Sequence, residues 1–523
     1  MMSSQSLVRE HLYSYRYHIG IAAAVSLICR HFYNRVFRAP KELQHIPAIP
    51  FWRQALSLVQ KEPITLKTKR LVFPLISNAN GIYVNRLPMD WTVYVTNPVY
   101  AKTILFKPEF NDKVHSFLDG LGEDHSMIIF VGKDNVATVN GQQWKNQRKI
   151  MNPVFHRSMP VALFGHLMPK VFRIIDEAES KDDHVVIVKL TQRLTLEALG
   201  KAIFGFEFGG LDQDNSVWVK DYNQLIESLL DPFSMFPRVS RVLRWISPSR
   251  REKHNAAYKL SALLGEMAEQ RKCALLENKE QQLHGNVPDS EKDLLTLMLE
   301  AEMGGDGASL SKEELRHNLG IFFVAGHDTT SNSIAFTMYS LAVHKDIQTK
   351  ARDEVLRILG DKPADVYPTL EDCKQFSYID MIIKEGLRMY PPANDLLARR
   401  VAADVNLGGV MIPQGSMITV DIHALHHNPE VWKNPDQFIP ERFADGGEHS
   451  KQDGVAWLPF SGGSRQCIGI NFSMMEQRIA LAMLLRKYDW ELPLGSIHQN
   501  GVVFDQPVNM APLSLKIKFN KRY

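Results

Sequence analysis

The sequence predicts a mainly α-helical protein with a minor β portion. Apolar residues recur at helical spacing over most of the chain, whereas strand-like runs are few: VVIV at 185–188, MITV at 417–420 and LSLKIKF at 513–519. Hydrophobic content of 45% beside 23% charged residues leaves ample material for a large core. Length alone suggests about three domains. Four cysteines in 523 residues, with no CxxC spacing, exclude a disulfide framework and a cysteine-based zinc site. A net charge of +3 and the lack of a basic-aromatic tract argue against nucleic acid.

Taken in order, the chain opens with YHIGIAAAVSLIC, thirteen uncharged residues between Arg16 and Arg30. A bilayer span needs about 20 apolar residues, so this run spans only if the flanking arginines snorkel to the two interfaces. Arg30, Arg35, Arg38 and Lys41 follow the run, which keeps the rest of the chain cytosolic by the positive-inside rule. Residues 1–38 are therefore expected to be a membrane anchor, 39–50 a linker broken by Pro40, Pro47 and Pro50, and 51–523 the body. A cleaved signal peptide and an Arg-rich transit peptide are the competing readings. Polar stretches at 279–293 and 444–453 are expected to be surface loops.

Ser311-Lys-Glu-Glu314 is a capping box and starts a helix with apolar residues at Leu315, Leu319, Phe322 and Phe323, then Ile334, Met338 and Leu341. Its middle, Ala325-Gly-His-Asp-Thr-Thr330, holds residues that disfavour a helix interior. Either one helix ends near Gly326 and Asp328 caps another, or a single helix makes room for a ligand at its side. Further on, Glu385 and Arg388 share one helical face among apolar neighbours, and Pro391-Pro392 stops that helix. A buried pair of this kind needs a further partner, which Arg442 of FIPERF can supply.

The loop FSGGSRQCIG, Phe460–Gly469, places a cysteine just before a long apolar-periodic segment. Unpaired N–H groups at a helix start favour a thiolate. Gly462 and Gly463 allow a tight turn, and Arg465 can reach an anion on the same ligand. Such a thiolate suits the proximal ligand of a haem, because sulfur donation favours O–O cleavage. Most lone cysteines are instead inert core residues.

Phe460, Gly463, Arg465, Cys467 and Gly469 match the F-x-x-G-x-R-x-C-x-G signature of the cytochrome P-450 superfamily, which the chain resembles from about residue 45 to its end. Ala325–Thr330 resembles the family's oxygen-activating helix, Glu385–Arg388 its E-x-x-R, Pro440–Phe443 its P-E-R-F, and Trp144–Arg148 its W-x-x-x-R. The resemblance implies one large unit with haem b (iron protoporphyrin IX) held on Cys467. It implies propionate contacts from Trp144, Arg148, Arg465 and Arg400, with Arg399 as the alternative to Arg400, and cofactor contacts from Phe460, Gly469 and Ala325. Thr329 and Asp328 resemble the alcohol–acid pair that delivers protons during O2 activation, and Glu385, Arg388 and Arg442 a structural triad.

The implied activity is monooxygenation of a lipophilic substrate such as a sterol, steroid, fatty acid or xenobiotic. Substrate contacts are expected in 113–132, 231–236, Phe323 and Val324, Ala393–Leu397 and 508–510. The implied partners are an NADPH–cytochrome P-450 reductase carrying FAD and FMN, cytochrome b5, O2 and the endoplasmic reticulum membrane. Reductase docking is expected on Lys145 and Lys149, joined by Arg478. A haem-thiolate isomerase or dehydratase of lipid hydroperoxides and a non-catalytic haem sensor or carrier are the alternatives.

Overall fold

A computed structural model describes residues 18–523 apart from 20, 28–29, 31–32, 34–36, 78–79, 87–89, 111, 115, 158–159, 213–216, 230, 278–291, 304–308 and 505–509. Most of the expected anchor and of the loop at 279–293 thus lies outside the described residues. Among the described residues, no helix is long and apolar enough to cross a membrane.

The helices that build the site are α1 (Ser126–Phe130), α2 (Gly141–Arg157), α3 (Val161–Glu179), α4 (Ile187–Leu199), α5 (Val217–Leu229), α6 (Pro237–Ile246), α7 (Pro248–Leu276), α8 (Lys312–Val343), α9 (Ser377–Met389) and α10 (Ile470–Lys487). α8 runs through the centre, against α4, α7, α9 and α10. It is buried over most of its length, with Leu319, Phe323, Ile334, Phe336, Met338 and Leu341 fully buried.

The Ser311/Glu314 capping box is present, with Glu314 N–H on Ser311 Oγ at 3.1 Å and Ser311 N–H on Glu314 Oε2 at 2.9 Å. α8 does not break at Gly326, so the two-helix alternative falls. Four of its polar residues meet side chains of neighbouring helices. Thr195 meets His327 Nδ1 at 2.9 Å, Thr191 meets Ser331 at 3.0 Å, Thr330 meets Ser473 at 3.0 Å, and Ser333 donates to Gln477 Oε1 at 2.6 Å. Met338, Leu341, Leu481 and Leu485 share one core with α3, α9 and α10, and Phe322 and Phe323 belong to a second with α2, α4, α5 and α7.

The strands are β1 (Ile82–Arg86), β2 (Trp91–Val95), β3 (Val185–Val186), β4 (Arg399–Arg400), β5 (Val405–Leu407), β6 (Val410–Ile412), β7 (Met417–Val420), β8 (Tyr488–Glu491) and β9 (Lys516–Lys521). The main sheet has the order β1-β2-β7-β4, with β2 and β7 parallel and Arg399 opposite Ile418. MITV is a strand as expected. VVIV is strand only at its first two residues, because Ile187, Leu190 and Leu194 bury a helical stripe against α3 and α8. The last strand starts at Lys516 rather than Leu513. The stretch read as a linker packs on the main sheet through Leu43, Ile46 and Ile49, and Ile49 N–H donates to Val84 O at 2.9 Å.

Candidate active site

The loop before α10 folds back beneath α8, and between them lies a cavity of about 200 Å³. Cys467, Phe460 and Gly469 line its floor, and Ala325, Gly326 and Thr329 line its roof. Gly463 has φ +66°, and a side chain there would collide with the carbonyl oxygen of Leu105. Cys467 N–H donates to Phe460 O at 2.9 Å, closing the loop under the cysteine. The exposed surface of Cys467 belongs to this cavity. Burial pushes its thiol upward, while the N–H of Gly469 and the charges of Arg148 and Lys113 pull it back toward the thiolate.

At the roof, a side chain on Gly326 would meet the Leu199 Cδ1 methyl of α4 at 2.4 Å, so that leucine would have to turn aside. Thr329 Oγ1 donates to Ala325 O at 2.7 Å, one turn back. Asp328 is not in the cavity lining. Its Oδ2 accepts from Tyr222 OH of α5 at 2.7 Å, its Oδ1 from Gln192 of α4 at 3.5 Å, and His327 Nε2 lies 3.7 Å away. Alcohol and acid are thus neighbours on α8 but face different surroundings.

A cationic cluster lies behind the cysteine loop. Arg465 lies over the Trp144 ring at 4.1 Å and donates to Val139 O at 2.9 Å and Asn140 Oδ1 at 2.8 Å. Arg148 Nη2 donates to Gln466 O at 2.8 Å, while its buried Nε has no partner. The two residues of β4 diverge: Arg399 is 2% exposed and donates to Ile104 O and Phe110 O, whereas Arg400 is exposed and reaches Gly415 O. It is Arg399, not Arg400, whose charge acts on Arg465.

Lys113 joins this group, with Nζ on Ala137 O at 2.9 Å. Burial, then Arg465, Arg399 and Arg148, push its ammonium down to about 7. Burial also brings Arg399 and Arg465 down to about 10. In the sequence Lys113 only opens an expected substrate segment, because nothing local marks a lone lysine as part of a cluster built from distant residues.

The donor set fits a haem. Buried positive charge in this excess, with an orphaned guanidinium nitrogen, calls for an anionic ligand group such as a pair of propionates. The Cys467 sulfur beside it would hold the iron, and the apolar walls from Phe155, Phe322 and Ile468 suit a flat macrocycle.

On the proximal side, Glu385 and Arg388 are completely buried, with Arg388 Nε and Nη2 on the carboxylate at 2.7 and 2.8 Å. Arg442 Nε completes the group at 3.3 Å, and Ile439 N–H adds a fourth donor at 2.9 Å. Glu448, unmarked in the sequence reading, takes the other end of Arg442. Of the expected substrate segments, Ala393 lines the cavity, Phe323 packs among Phe130, Phe204, Phe208 and Tyr222, and no described residue of 113–132 or 231–236 contributes to the lining. Positions 508 and 509 lie outside the described residues. Lys145 and Lys149 are exposed on α2, and Arg478 is held by Asp380.

Comparison with known proteins agrees with this geometry. The family model described as Cytochrome P450 matches residues 76–514. Rabbit (Oryctolagus cuniculus) cytochrome P450 4A7 is 33% identical over 403 residues, covering 75% of this chain and 74% of the relative. The pig (Sus scrofa) taurochenodeoxycholic 6 alpha-hydroxylase is 31% identical over 405 residues, covering 76% of each. The crystal structure of the cytochrome P450DA heme domain has a TM-score of 0.74 at 23% identity, covering 91% of this chain and 98% of that one. The cysteine loop under a continuous α8, and a family match over most of the chain, lead to one conclusion: this chain belongs to the cytochrome P450 family and is a haem-thiolate monooxygenase.

Proposed function

We propose that the enzyme holds haem b on Cys467 and inserts one atom of O2 into a lipophilic substrate with an acidic or polar end, using electrons from an NADPH-dependent FAD/FMN reductase. The observation that carries the reading is that the Cys467 thiol and the Thr329 hydroxyl share one cavity, with a cationic cluster behind the cysteine loop whose Arg148 and Lys113 act on Cys467. Arg148, Arg465, Arg399 and Lys113 would hold the propionates, with Trp144 packed on Arg465. This assigns to Arg399 the contact expected of Arg400, since only Arg399 points inward. Haem bound there supplies O2 activation, and electron donation from a thiolate favours O–O cleavage.

The chain's own groups do the rest. Gly469 N–H holds negative charge on Cys467. Ala325 and Gly326 leave space above the floor. Thr329 presents a hydroxyl that can pass a proton into the cavity, resupplied from Asp328, which Tyr222 and Gln192 hold in place. The substrate class is supported by the apolar walls and by the name of the pig relative, a taurochenodeoxycholic 6 alpha-hydroxylase. An endoplasmic reticulum location with an N-terminal anchor, and cytochrome b5 as a second donor, accompany this reading, with Lys145 and Lys149 as the reductase contact.

The test is spectroscopic. Cys467→Ala should lose the thiolate-type Soret band of the reduced CO complex, and Cys273→Ala and Cys373→Ala should keep it. Retention of that band without Cys467 overturns the assignment. Thr329→Ala should keep the band but form less product per NADPH consumed.

A further inference from the structure

A second cavity, of about 340 Å³, lies away from the haem site between the start of α1 and helices α5, α6 and α7. Its lining is mostly polar, and its carboxylates are already engaged. Asp231 holds Arg250 and accepts the Phe233 N–H at 3.1 Å. Asp124, just outside, holds Arg244 and Arg241. Glu227 pairs with Lys253 at 2.8 Å on the exposed edge.

What remains over is a set of donors. His125 is 6% exposed, and its Nδ1 accepts the Met127 N–H at 3.1 Å. That bond puts the ring proton on Nε2, for which the protein offers no acceptor. The hydroxyl of Ser234, 9% exposed, makes no hydrogen bond within the described residues. Ser240 accepts from Arg244 Nη1 at 3.1 Å, which leaves its own proton to give. Burial, with Arg244 adding to it, brings His254 down to about 4, so this ring is neutral at pH 7. These donors face the cavity with no acceptor from the protein, and an acceptor-only ligand satisfies several at once.

The rim has the opposite character. Arg250 lies over the Phe233 ring at 5.3 Å, and Phe233 and Phe236 are 47% and 62% exposed. On α6, Ser240 and Arg244 face the cavity, while Val239, Val242, Trp245 and Ile246 are exposed on the other side. We propose that this cavity binds the oxyanion headgroup of an amphiphile, a carboxylate or a phosphate, whose apolar chain leaves over Phe233 and Phe236. The site is separate from the monooxygenase centre and does not depend on the haem reading.

The experiment is calorimetric titration of the full haem-loaded chain with dodecanoate, dodecyl phosphate, dodecanol and inorganic phosphate. The haem spectrum is recorded in parallel to count any ligand that enters the active site. His125→Asn keeps an acceptor oxygen for the Met127 N–H while removing the Nε2 donor, and Ser234→Ala removes the hydroxyl. The double variant should weaken the non-haem site about tenfold or more, as loss of hydrogen bonds to a charged group implies, with the haem response unchanged. Ser240→Ala, made separately, should weaken it in the same direction. The tighter of dodecanoate and dodecyl phosphate identifies the headgroup. Undiminished binding to the double variant, or dodecanol binding as tightly as dodecanoate, overturns the oxyanion site. Inorganic phosphate binding as tightly as dodecyl phosphate overturns the amphiphile.

Discussion

Arg399→Gln should weaken haem binding far more than Arg400→Gln, although the two residues are adjacent. Successive residues of a strand point to opposite faces, and pairing with β7 turns Arg399 inward. Its Nη1 bridges Ile104 O at 2.7 Å and Phe110 O at 3.2 Å, which fixes the guanidinium beside Arg465. Arg400 donates once, to Gly415 O at 3.0 Å, from an exposed position. A hydrogen bond to a charged group contributes about 1.5–3 kcal/mol, which converts to about 10- to 140-fold in haem affinity for Arg399. An exposed substitution stays within about 0.5 kcal/mol, so Arg400→Gln should change affinity less than about threefold. The assay is haem transfer to excess apomyoglobin, with far-UV circular dichroism to establish that each variant is folded. Arg399→Lys, which keeps the charge, should recover part of the loss. Equal losses at the two positions, or a larger one at Arg400, would refute the inward assignment.

Glu385→Gln should destabilise the fold by about 3–5 kcal/mol, because it leaves Arg388 and Arg442 buried without their counter-charge; an unchanged denaturant midpoint would contradict this. Glu476 carries a pH dependence. Burial alone pushes its carboxyl up to about 8 and its Oε1 has no partner, so the folded chain keeps it protonated where the unfolded chain, at the ordinary 4.5, has lost the proton. This group's contribution to stability is therefore full below about 4.5 and is lost as pH rises to about 8. Glu476→Gln should gain over the parent at pH 8 and match it near pH 4.5, as urea midpoints across that range will report; an equal gap at both ends would refute it. Tyr222→Phe removes a hydrogen bond of about 1.5–3 kcal/mol to the Asp328 carboxylate and should lower product formed per NADPH consumed with the CO spectrum intact. Unchanged coupling would detach α5 from proton delivery.

The sequence by itself determined the features whose physics is local. The capping box at Ser311 and Glu314, the helical pairing of Glu385 with Arg388, the stop at Pro391-Pro392 and the glycine-rich turn before Cys467 each depend on residues a few positions apart. Backbone geometry and side-chain reach are then enough to read them. The helical class was legible for the same reason, since apolar periodicity records which face of each element is buried.

Only the tertiary structure decided matters that depend on a distant partner. Two adjacent arginines carry no local signal of which faces inward; pairing of Arg399 with Ile418 of β7 settles it. VVIV has strand propensity throughout, yet from Ile187 the burial offered by α3 and α8 is worth more as a helix. The polar middle of α8 leaves a break and a continuous helix equally open in the sequence; Thr191, Thr195, Ser473 and Gln477, each more than 100 residues away, supply the hydrogen bonds that keep it one helix. Lys113 and Glu448 entered the site by the same route. A lone lysine or glutamate has no periodicity to read, and what it does is set by the charges that folding brings beside it.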